Sequence, residues 1–130
     1  MQSRHLSISI HRPAAEVYEF VVDPANLPHR AAGPSGSIEQ LNERWLVDSP
    51  LGRVDVELAP RNEFGVLDHV VTLPDGRRVD NPLRVIGWDG SCELVFTLRQ
   101  RGDQSDADFE SDGAAVLNDL ESLKALLETR

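Results

Sequence analysis

The chain has 130 residues with a single cysteine, Cys92, so it has the size of one domain and cannot form an internal disulfide or a multi-cysteine zinc site. Its formal charge of −9 argues against nucleic acids and anionic membranes as partners, because both bind proteins through a concentrated positive surface. No segment has the apolar length of a signal peptide or a membrane-spanning helix, so we expect one cytoplasmic domain over residues 1–130, without membrane insertion, as a monomer or homodimer.

The first predicted elements are a strand and a helix. Residues 5–12, HLSISIHR, alternate apolar and polar side chains with the period of a half-buried strand. Pro13 suits the first turn of a helix, and apolar residues follow it at helical spacing as far as Val21. A second short helical turn is predicted over residues 26–31, before the GPSG sequence breaks the chain.

From Ser37 to Gln100 the sequence changes to six strand-like runs joined by turns, which indicates an antiparallel meander. Pro74-Asp75-Gly76 suits a three-residue hairpin loop, and Asp89-Gly90 suits a two-residue loop. Residues 49–52, Ser-Pro-Leu-Gly, predict another turn, and residues 42–43 carry a weaker turn signal. With the first strand, the meander predicts seven strands.

The turns also fix which side chains share a face, because the side chains of a strand alternate between its two faces. The predicted cross-strand pairs are Leu73–Arg77, Val71–Val79, His69–Asn81, Leu67–Leu83, Val85–Leu94 and Leu83–Phe96. The apolar members of the resulting face are Val54, Val56, Leu58, Leu67, Val71, Val79, Leu83, Val85, Cys92, Leu94, Phe96 and Leu98. His69 and Asn81 are its polar exceptions, and Gln40 and Trp45 are predicted to share it.

The acidic run near the C-terminus has two interpretations. Residues 108–119 resemble a calcium-binding loop, but Glu110 and Asp119 have the wrong length for their ligand positions, and a strand rather than a helix precedes the run. Ser105-x-x-Asp108 is instead a capping-box-like helix start, with the acidic residues where the helix dipole favours negative charge. The apolar stripe that follows comprises Phe109, Val116, Leu117, Leu120, Leu123 and Leu127. We therefore predict a long amphipathic helix and no metal site.

The order of these elements resembles the START-like (SRPBCC) superfamily, which includes polyketide cyclases and birch-pollen-allergen relatives. The resemblance rests on residues 10–28, IHRPAAEVYEFVVDPANLP, and on residues 93–100 and 105–128, ELVFTLRQ and SDADFESDGAAVLNDLESLKALLE. It implies an α+β helix-grip fold of β-α-α-β6-α order. In that fold a curved seven-stranded antiparallel sheet is wrapped around a long C-terminal helix, with a cavity between them.

Within such a cavity His69 is the strongest candidate for a functional group. It can orient a ligand carbonyl or act as a general acid or base, or it can form a structural hydrogen bond with Asn81 across the strands. The other predicted ligand contacts are Asn81, Gln40, Trp45, Phe96 and Gly113, with Tyr18 and His29 at the cavity mouth. Cys92 is predicted to be a core residue and not a nucleophile.

The resemblance implies three functions, none of which needs a cofactor. The first is binding of a small hydrophobic or aromatic ligand, lipid- or polyketide-like. The second is a cofactor-independent cyclase or dehydratase in which His69 transfers protons. One inward histidine without an inward carboxylate favours binding over catalysis. The third is a protein-binding role that assists chaperones, and the outward strand positions offer no broad apolar patch to support it.

Overall fold

The computed structural model describes residues 1–23, 26, 38–41, 44–49 and 52–130, with the side chains of all but residues 38–41, 48 and 49. This part of the chain contains eight strands and two helices. The strands are β1 (Ser3–Ile10), β2 (Ile38–Leu41), β3 (Arg44–Ser49), β4 (Gly52–Leu58), β5 (His69–Thr72), β6 (Arg78–Asn81), β7 (Leu83–Trp88) and β8 (Ser91–Arg99). The helices are α1 (Ala14–Val22) and α2 (Asp106–Glu128). The architecture is α+β and antiparallel, consistent with a helix-grip fold.

The strands form two sheets, whereas the sequence predicted one sheet of seven strands. One sheet has the order β1-β8-β7 and the other β2-β3-β4-β5-β6. The run after the Pro-Asp-Gly turn was predicted as one strand, but Pro82 divides it into β6 and β7. Proline has no N–H to donate to a ladder, so regular pairing stops there and the described strands number eight.

Asp68 joins the two sheets at this break, a position that we call the seam. Its carboxylate accepts hydrogen bonds from the backbone N–H of Leu83 at 2.8 Å and from Arg84 Nε and Nη2 at 3.0 and 2.8 Å. Its backbone carbonyl accepts from the N–H of Ala59 at 2.8 Å. The hydrogen bond from Arg84, helped by the Leu83 N–H, lowers the pKa of the Asp68 carboxyl below its ordinary value.

The predicted cross-strand register is confirmed. Observed partners are Val71–Val79, His69–Asn81, Val85–Leu94 and Leu83–Phe96, and N–H to carbonyl bonds of 2.8 Å join Leu73 to Arg77 and Leu67 to Leu83. The predicted apolar face is accordingly the inner one. Its buried members are Val54, Val56, Leu67, Leu83, Val85, Cys92, Leu94 and Phe96, and its half-buried members are Leu58, Val71, Val79 and Leu98.

The long C-terminal helix is confirmed and begins at the predicted cap. The Ser105 side-chain oxygen accepts a hydrogen bond from the backbone N–H of Asp108 at 3.1 Å, and the acidic run forms the first turns of α2. A calcium loop therefore does not occur over these residues. The buried residues of α2 are Phe109, Gly113, Leu120, Leu123 and Leu127. Leu117, which was predicted on the stripe, lies at its edge and is 37% exposed.

Residues at the junction between β1 and α1 form hydrogen bonds with the last turn of α2. Arg12 donates to the carbonyl oxygens of Leu127, Glu128 and Arg130 at 3.0, 3.2 and 2.7 Å. The backbone N–H of His11 donates to the Glu128 carboxylate at 2.8 Å. The final carbonyls of a helix have no partner within the helix, so Arg12 both satisfies them and places a positive charge at the negative end of the dipole.

The main core lies between α1, α2 and the inner face of the three-stranded sheet. Helix α1 packs directly on β7, where a Cβ built at Gly87 would lie 2.6 Å from the Cβ of Ala14. Of the helices in the described ranges, neither is long and apolar enough to cross a membrane. Residues 27–31 of the predicted second helical turn, including His29, lie outside the described residues, as do GPSG and the turns at 42–43 and 50–51.

Candidate ligand-binding cavity

A cavity of about 240 Å³ lies between α2 and the inner face of the sheets. It is next to the seam, because His69 and Leu83 are among its lining residues. Its apolar wall comprises Val56, Val71, Leu83, Leu94 and Phe96 from the strands and Val116, Leu120 and Leu123 from α2. Two polar side chains, His69 and Asp119, complete the described lining. Pockets for drug-sized ligands span roughly 300–1,000 Å³, so this volume suits a compact molecule.

His69, the first residue of β5, faces the cavity as predicted. Its Nδ1 atom lies 3.1 Å from the carbonyl oxygen of Leu67. A carbonyl can only accept, so Nδ1 is the donor and carries the hydrogen. In the neutral ring the lone pair is then on Nε2. The backbone therefore fixes both the orientation and the tautomer of this imidazole.

Asp119 is a cavity residue that the sequence analysis did not identify. It follows Val116 by three residues and precedes Leu123 by four, so helical periodicity places it on the face that meets the cavity. That spacing was visible in the sequence, but Asp119 was considered only as a calcium ligand. Its Oδ1 atom is fully buried. An imidazole and a carboxylate thus line one cavity, and the sequence argument that no carboxylate faces inward is wrong.

Asn81 lies opposite His69, as predicted, but does not line the cavity. Its Nδ2 donates to the carbonyl oxygen of Val79 at 3.3 Å, while His69 bonds to Leu67. The hydrogen bond between the two side chains that the sequence suggested is therefore not formed. Asn81 and His69 instead share a second groove at the seam, which Asp68 and Pro82 also line.

Of the other predicted sheet contacts, Phe96 is in the cavity wall and Trp45 is beside it. Trp45 is half-buried opposite Val56 and packs on a small cluster that includes Val56 and Val71, both of which line the cavity. The backbone of Gln40 pairs with Trp45, and the Gln40 side chain lies outside the described residues. The role of each as a ligand contact stays a prediction.

Gly113 and Tyr18 lie away from the cavity wall. Gly113 is buried, and a Cβ at this position would lie 3.8 Å from Leu98 Cδ2, an ordinary van der Waals contact. The Tyr18 hydroxyl accepts from the backbone N–H of Asn62 at 2.9 Å, and its ring lies 6.0 Å from the Arg61 guanidinium. Tyr18 therefore anchors the loop between β4 and β5, and does not stand at the cavity mouth.

The outer surface carries apolar side chains that the sequence analysis did not expect. Ile86 and Trp88, on the outward face of β7, are 52% and 50% exposed, and Phe64 is 82% exposed. Phe64 and Ile86 line one groove beside α1. The protein-binding alternative stays a prediction.

Cys92 is fully buried, and burial raises the pKa of its thiol, which fits a core residue. Within the ranges that the structure describes, no three His, Cys, Asp or Glu side chains are grouped so that they could hold a metal ion. The absence of a metal and of a cofactor stays a prediction.

No protein-family model matches the sequence, and no curated protein is similar to it. The fold does match solved structures. A START superfamily protein from Mycobacterium smegmatis has a TM-score of 0.72 and 10% identity, with 98% of this chain and 97% of that chain covered. The ZhuI aromatase/cyclase from Streptomyces sp. R1128 has a TM-score of 0.61 and 19% identity, with 99% and 96% covered.

DynU16, a protein of the dynemicin biosynthetic locus, matches with a TM-score of 0.76 and 19% identity over 99% of this chain. The chain spans only 48% of the length of DynU16. Identities at this level show the fold and nothing finer. The chain has the START-like fold that its sequence predicted.

Proposed function

We propose that the chain binds a small hydrophobic or aromatic molecule, lipid- or polyketide-like, in the cavity between the sheets and α2. The observation that carries the proposal is the cavity itself. Eight apolar side chains, together with one histidine and one aspartate, line a cavity of about 240 Å³. Ligand sites commonly combine a mostly apolar wall with a few polar groups that orient the ligand.

The volume of the described cavity limits the size of the ligand that it can hold. It lies below the range typical of drug-sized molecules, so we propose that the buried portion has one or two rings or a short alkyl segment. The structural likeness to a protein named as an aromatase/cyclase supports a ring-containing ligand at the level of analogy.

The test is binding of an apolar fluorescent probe, with a variant that fills the cavity. Val116→Phe adds a ring to the cavity wall, whereas Leu117→Phe adds one to the next residue, which faces outward. Probe affinity should fall at least about tenfold in the first variant and stay within about twofold in the second. Circular dichroism and thermal unfolding should verify that both fold, because overpacking typically costs about 1–3 kcal/mol.

Equal affinity in both variants, or no probe binding to the wild type, would overturn the proposal. Native mass spectrometry of protein purified from its source organism gives an independent test, because a retained compound would identify the ligand class.

A second candidate function, proton-transfer catalysis, is favoured by one specific observation. His69 and Asp119 line the same cavity, and an imidazole with a carboxylate beside a bound carbonyl compound is a common arrangement for general acid–base chemistry. In this candidate the Nε2 lone pair of His69 takes a proton from carbon next to the carbonyl, as a cyclase or dehydratase requires.

Deuterium exchange tests the catalytic candidate directly. The protein would be incubated in D₂O with 2-tetralone, a two-ring ketone, and exchange at the α carbon followed by NMR. The wild type should accelerate exchange over buffer, and His69→Gln should remove the acceleration while still binding the probe. Rates equal to those in buffer would leave ligand binding as the only function supported.

A further inference from the structure

The edge of β7 that faces away from β8 is unpaired over its last residues. The backbone N–H of Val85 donates to the Gly65 carbonyl at 2.9 Å, so Val85 directs its backbone polar groups away from β8. Residues of an antiparallel strand alternate in this direction, so Gly87 directs its N–H and C=O the same way. Among the described residues, neither group of Gly87 has a hydrogen-bond partner. We propose that this edge, residues 85–88, binds an extended segment of a partner polypeptide as an added strand.

Gly65 and Asn62 keep the edge open. Gly65 has φ +74°, a left-handed conformation that favours glycine, and a Cβ there would lie 2.3 Å from the Val85 carbonyl oxygen. At this glycine the chain turns away from β7. The Asn62 side chain then forms hydrogen bonds of 2.9–3.1 Å with the backbone of three loop residues. Because the loop is already fixed in this position, a strand can be added without remodelling it.

The groove that contains the edge favours a single extended segment over a second copy of this chain. It has a volume of about 710 Å³ and lies between α1 and the loop from Arg61 to Gly65. Arg61 pairs with Glu19 at 2.6 Å, so the loop is bound to the helix. The β7 edge of a second copy would lie in the same kind of recess, and a net charge of −9 on each copy opposes their contact. The occupant is therefore a segment of another polypeptide.

The side chains along the edge indicate which residues the segment carries. Ile86 and Trp88, on the outer face of β7, are 52% and 50% exposed. In an antiparallel added strand, the residues opposite these two share their face and flank the residue opposite Gly87. Apolar side chains at both positions would cover Ile86 and Trp88. The residue between them must be small, because it faces α1, where Ala14 Cβ lies 2.6 Å from a Cβ built on Gly87.

Exposed carboxylates lie near both ends of the edge. Glu63 is in the loop wall of the groove, and Asp89 directly follows Trp88. Neither has an ion pair among the residues that the structure describes, whereas Glu19, the other acidic residue of the groove, is paired with Arg61. Basic side chains at the two ends of an added strand would therefore be attracted to this edge. The segment that fits has the order basic, apolar, small, apolar, basic.

The experiment uses the pentapeptide KVAVR with blocked ends and follows backbone amide exchange by NMR. In the free protein the Gly87 amide should exchange at least about tenfold faster than the Val85 amide, which is bonded to Gly65. Saturating KVAVR should slow exchange at Gly87 by at least about tenfold. The same peptide with an N-methyl group on its alanine keeps the side chains but loses the central N–H. It should bind at least about threefold more weakly.

Two variants test the charge pattern. Glu63→Gln and Asp89→Asn each remove one carboxylate, and asparagine tolerates the positive φ of Asp89. Each should weaken the binding of KVAVR by about two- to fivefold, the range for an exposed ion pair. Glu121→Gln makes the same charge change on the exposed side of α2 and should leave the affinity unchanged. The peptide EVAVE should bind at least about tenfold more weakly than KVAVR.

Several results would overturn the proposal, and none of them bears on the internal cavity. These are the absence of saturable binding of KVAVR at millimolar concentration, binding that leaves Gly87 unprotected, and equal affinity for the N-methylated peptide or for EVAVE. Slow exchange at Gly87 in the free protein would also overturn it, because the edge would then already be covered. Protection that rises with protein concentration would identify a second copy as the occupant, and protection independent of concentration another segment of this chain.

Discussion

Replacing Asp68 with alanine should destabilise the protein by about 2–3 kcal/mol, because the Asp68 side chain contributes hydrogen bonds between the two sheets at the seam. Its carboxylate satisfies the backbone N–H of Leu83, the first residue after the Pro82 break, and also pairs with Arg84. Leu83 is only 4% exposed, so its amide cannot easily turn to water once the carboxylate is gone.

The two interactions differ in size. A buried N–H without a partner costs about 1–3 kcal/mol. The ion pair contributes at most about 1 kcal/mol, since the side chains of Arg84 and Asp68 are 51% and 36% exposed and water screens them. The amide therefore dominates, and Asp68→Asn should recover part of the loss because its amide oxygen can still accept from Leu83.

Urea unfolding followed by circular dichroism would measure the change. Asp75→Ala is a matched control, since Asp75 also accepts from a backbone N–H and an arginine, at 3.0 and 2.8 Å from Arg77, but in an exposed hairpin loop. The free energy of unfolding lost in Asp75→Ala should be less than a third of that lost in Asp68→Ala. Equal losses at both positions, or a loss below about 0.5 kcal/mol for Asp68→Ala, would refute the assignment of the seam.

The contribution of Asp68 to stability should depend on pH, because of the same contacts. Arg84 and the Leu83 N–H hold the pKa of Asp68 below its ordinary value of about 3.9, so the folded state binds this proton less readily than the unfolded state. The stabilisation is complete above that ordinary value and is lost as pH falls through the folded-state pKa. The difference between wild type and Asp68→Ala should therefore shrink below about pH 4.

Three further predictions concern α2. Leu120→Ala should cost about 2–5 kcal/mol in urea unfolding, because Leu120 is 6% exposed between the helix and the sheets; a loss under about 0.5 kcal/mol would mean that the sheets do not hold the helix. Gly113→Ala should stabilise the protein by about 0.5–1 kcal/mol, since alanine is the better helix former and its Cβ meets Leu98 at an ordinary distance; destabilisation would show that a ligand or neighbouring group needs this space. Calorimetric titration with Ca²⁺ at near-physiological salt should show no saturable heat, because Glu110 lies on a different face of the helix from Asp108 and Asp112 and pairs with Arg4; a one-to-one submillimolar site would contradict this.

The sequence predicted the fold well where local rules decide the structure. The Pro-Asp-Gly and Asp-Gly loops fixed the register of four strands, and register alone placed His69 on the inner face. The cap at Ser105 and the spacing of the leucines fixed the last helix in the same way. Turn geometry and helical caps act over a few residues, so one sequence contains all the information that they need.

The errors have different causes. Pro82 could have been recognised, because a proline without an N–H argues against one continuous central strand. Asp119 also lies on the cavity side by spacing, but only the packed helix shows that this edge of the stripe meets an open space. The direction of the Asn81 and Tyr18 side chains depended on carbonyls and amides whose positions follow from the tertiary structure.

The bonds between Arg12 and the end of α2 have a consequence for the order of folding. They join residues 115–118 positions apart, and β1 pairs only with β8 among the described strands. During synthesis β1 and α1 leave the ribosome before their partners β8 and α2 are made. We therefore expect β1 to stay open to solvent exchange until α2 is complete, and refolding to be slow for a chain of this size because loops of such length must close first.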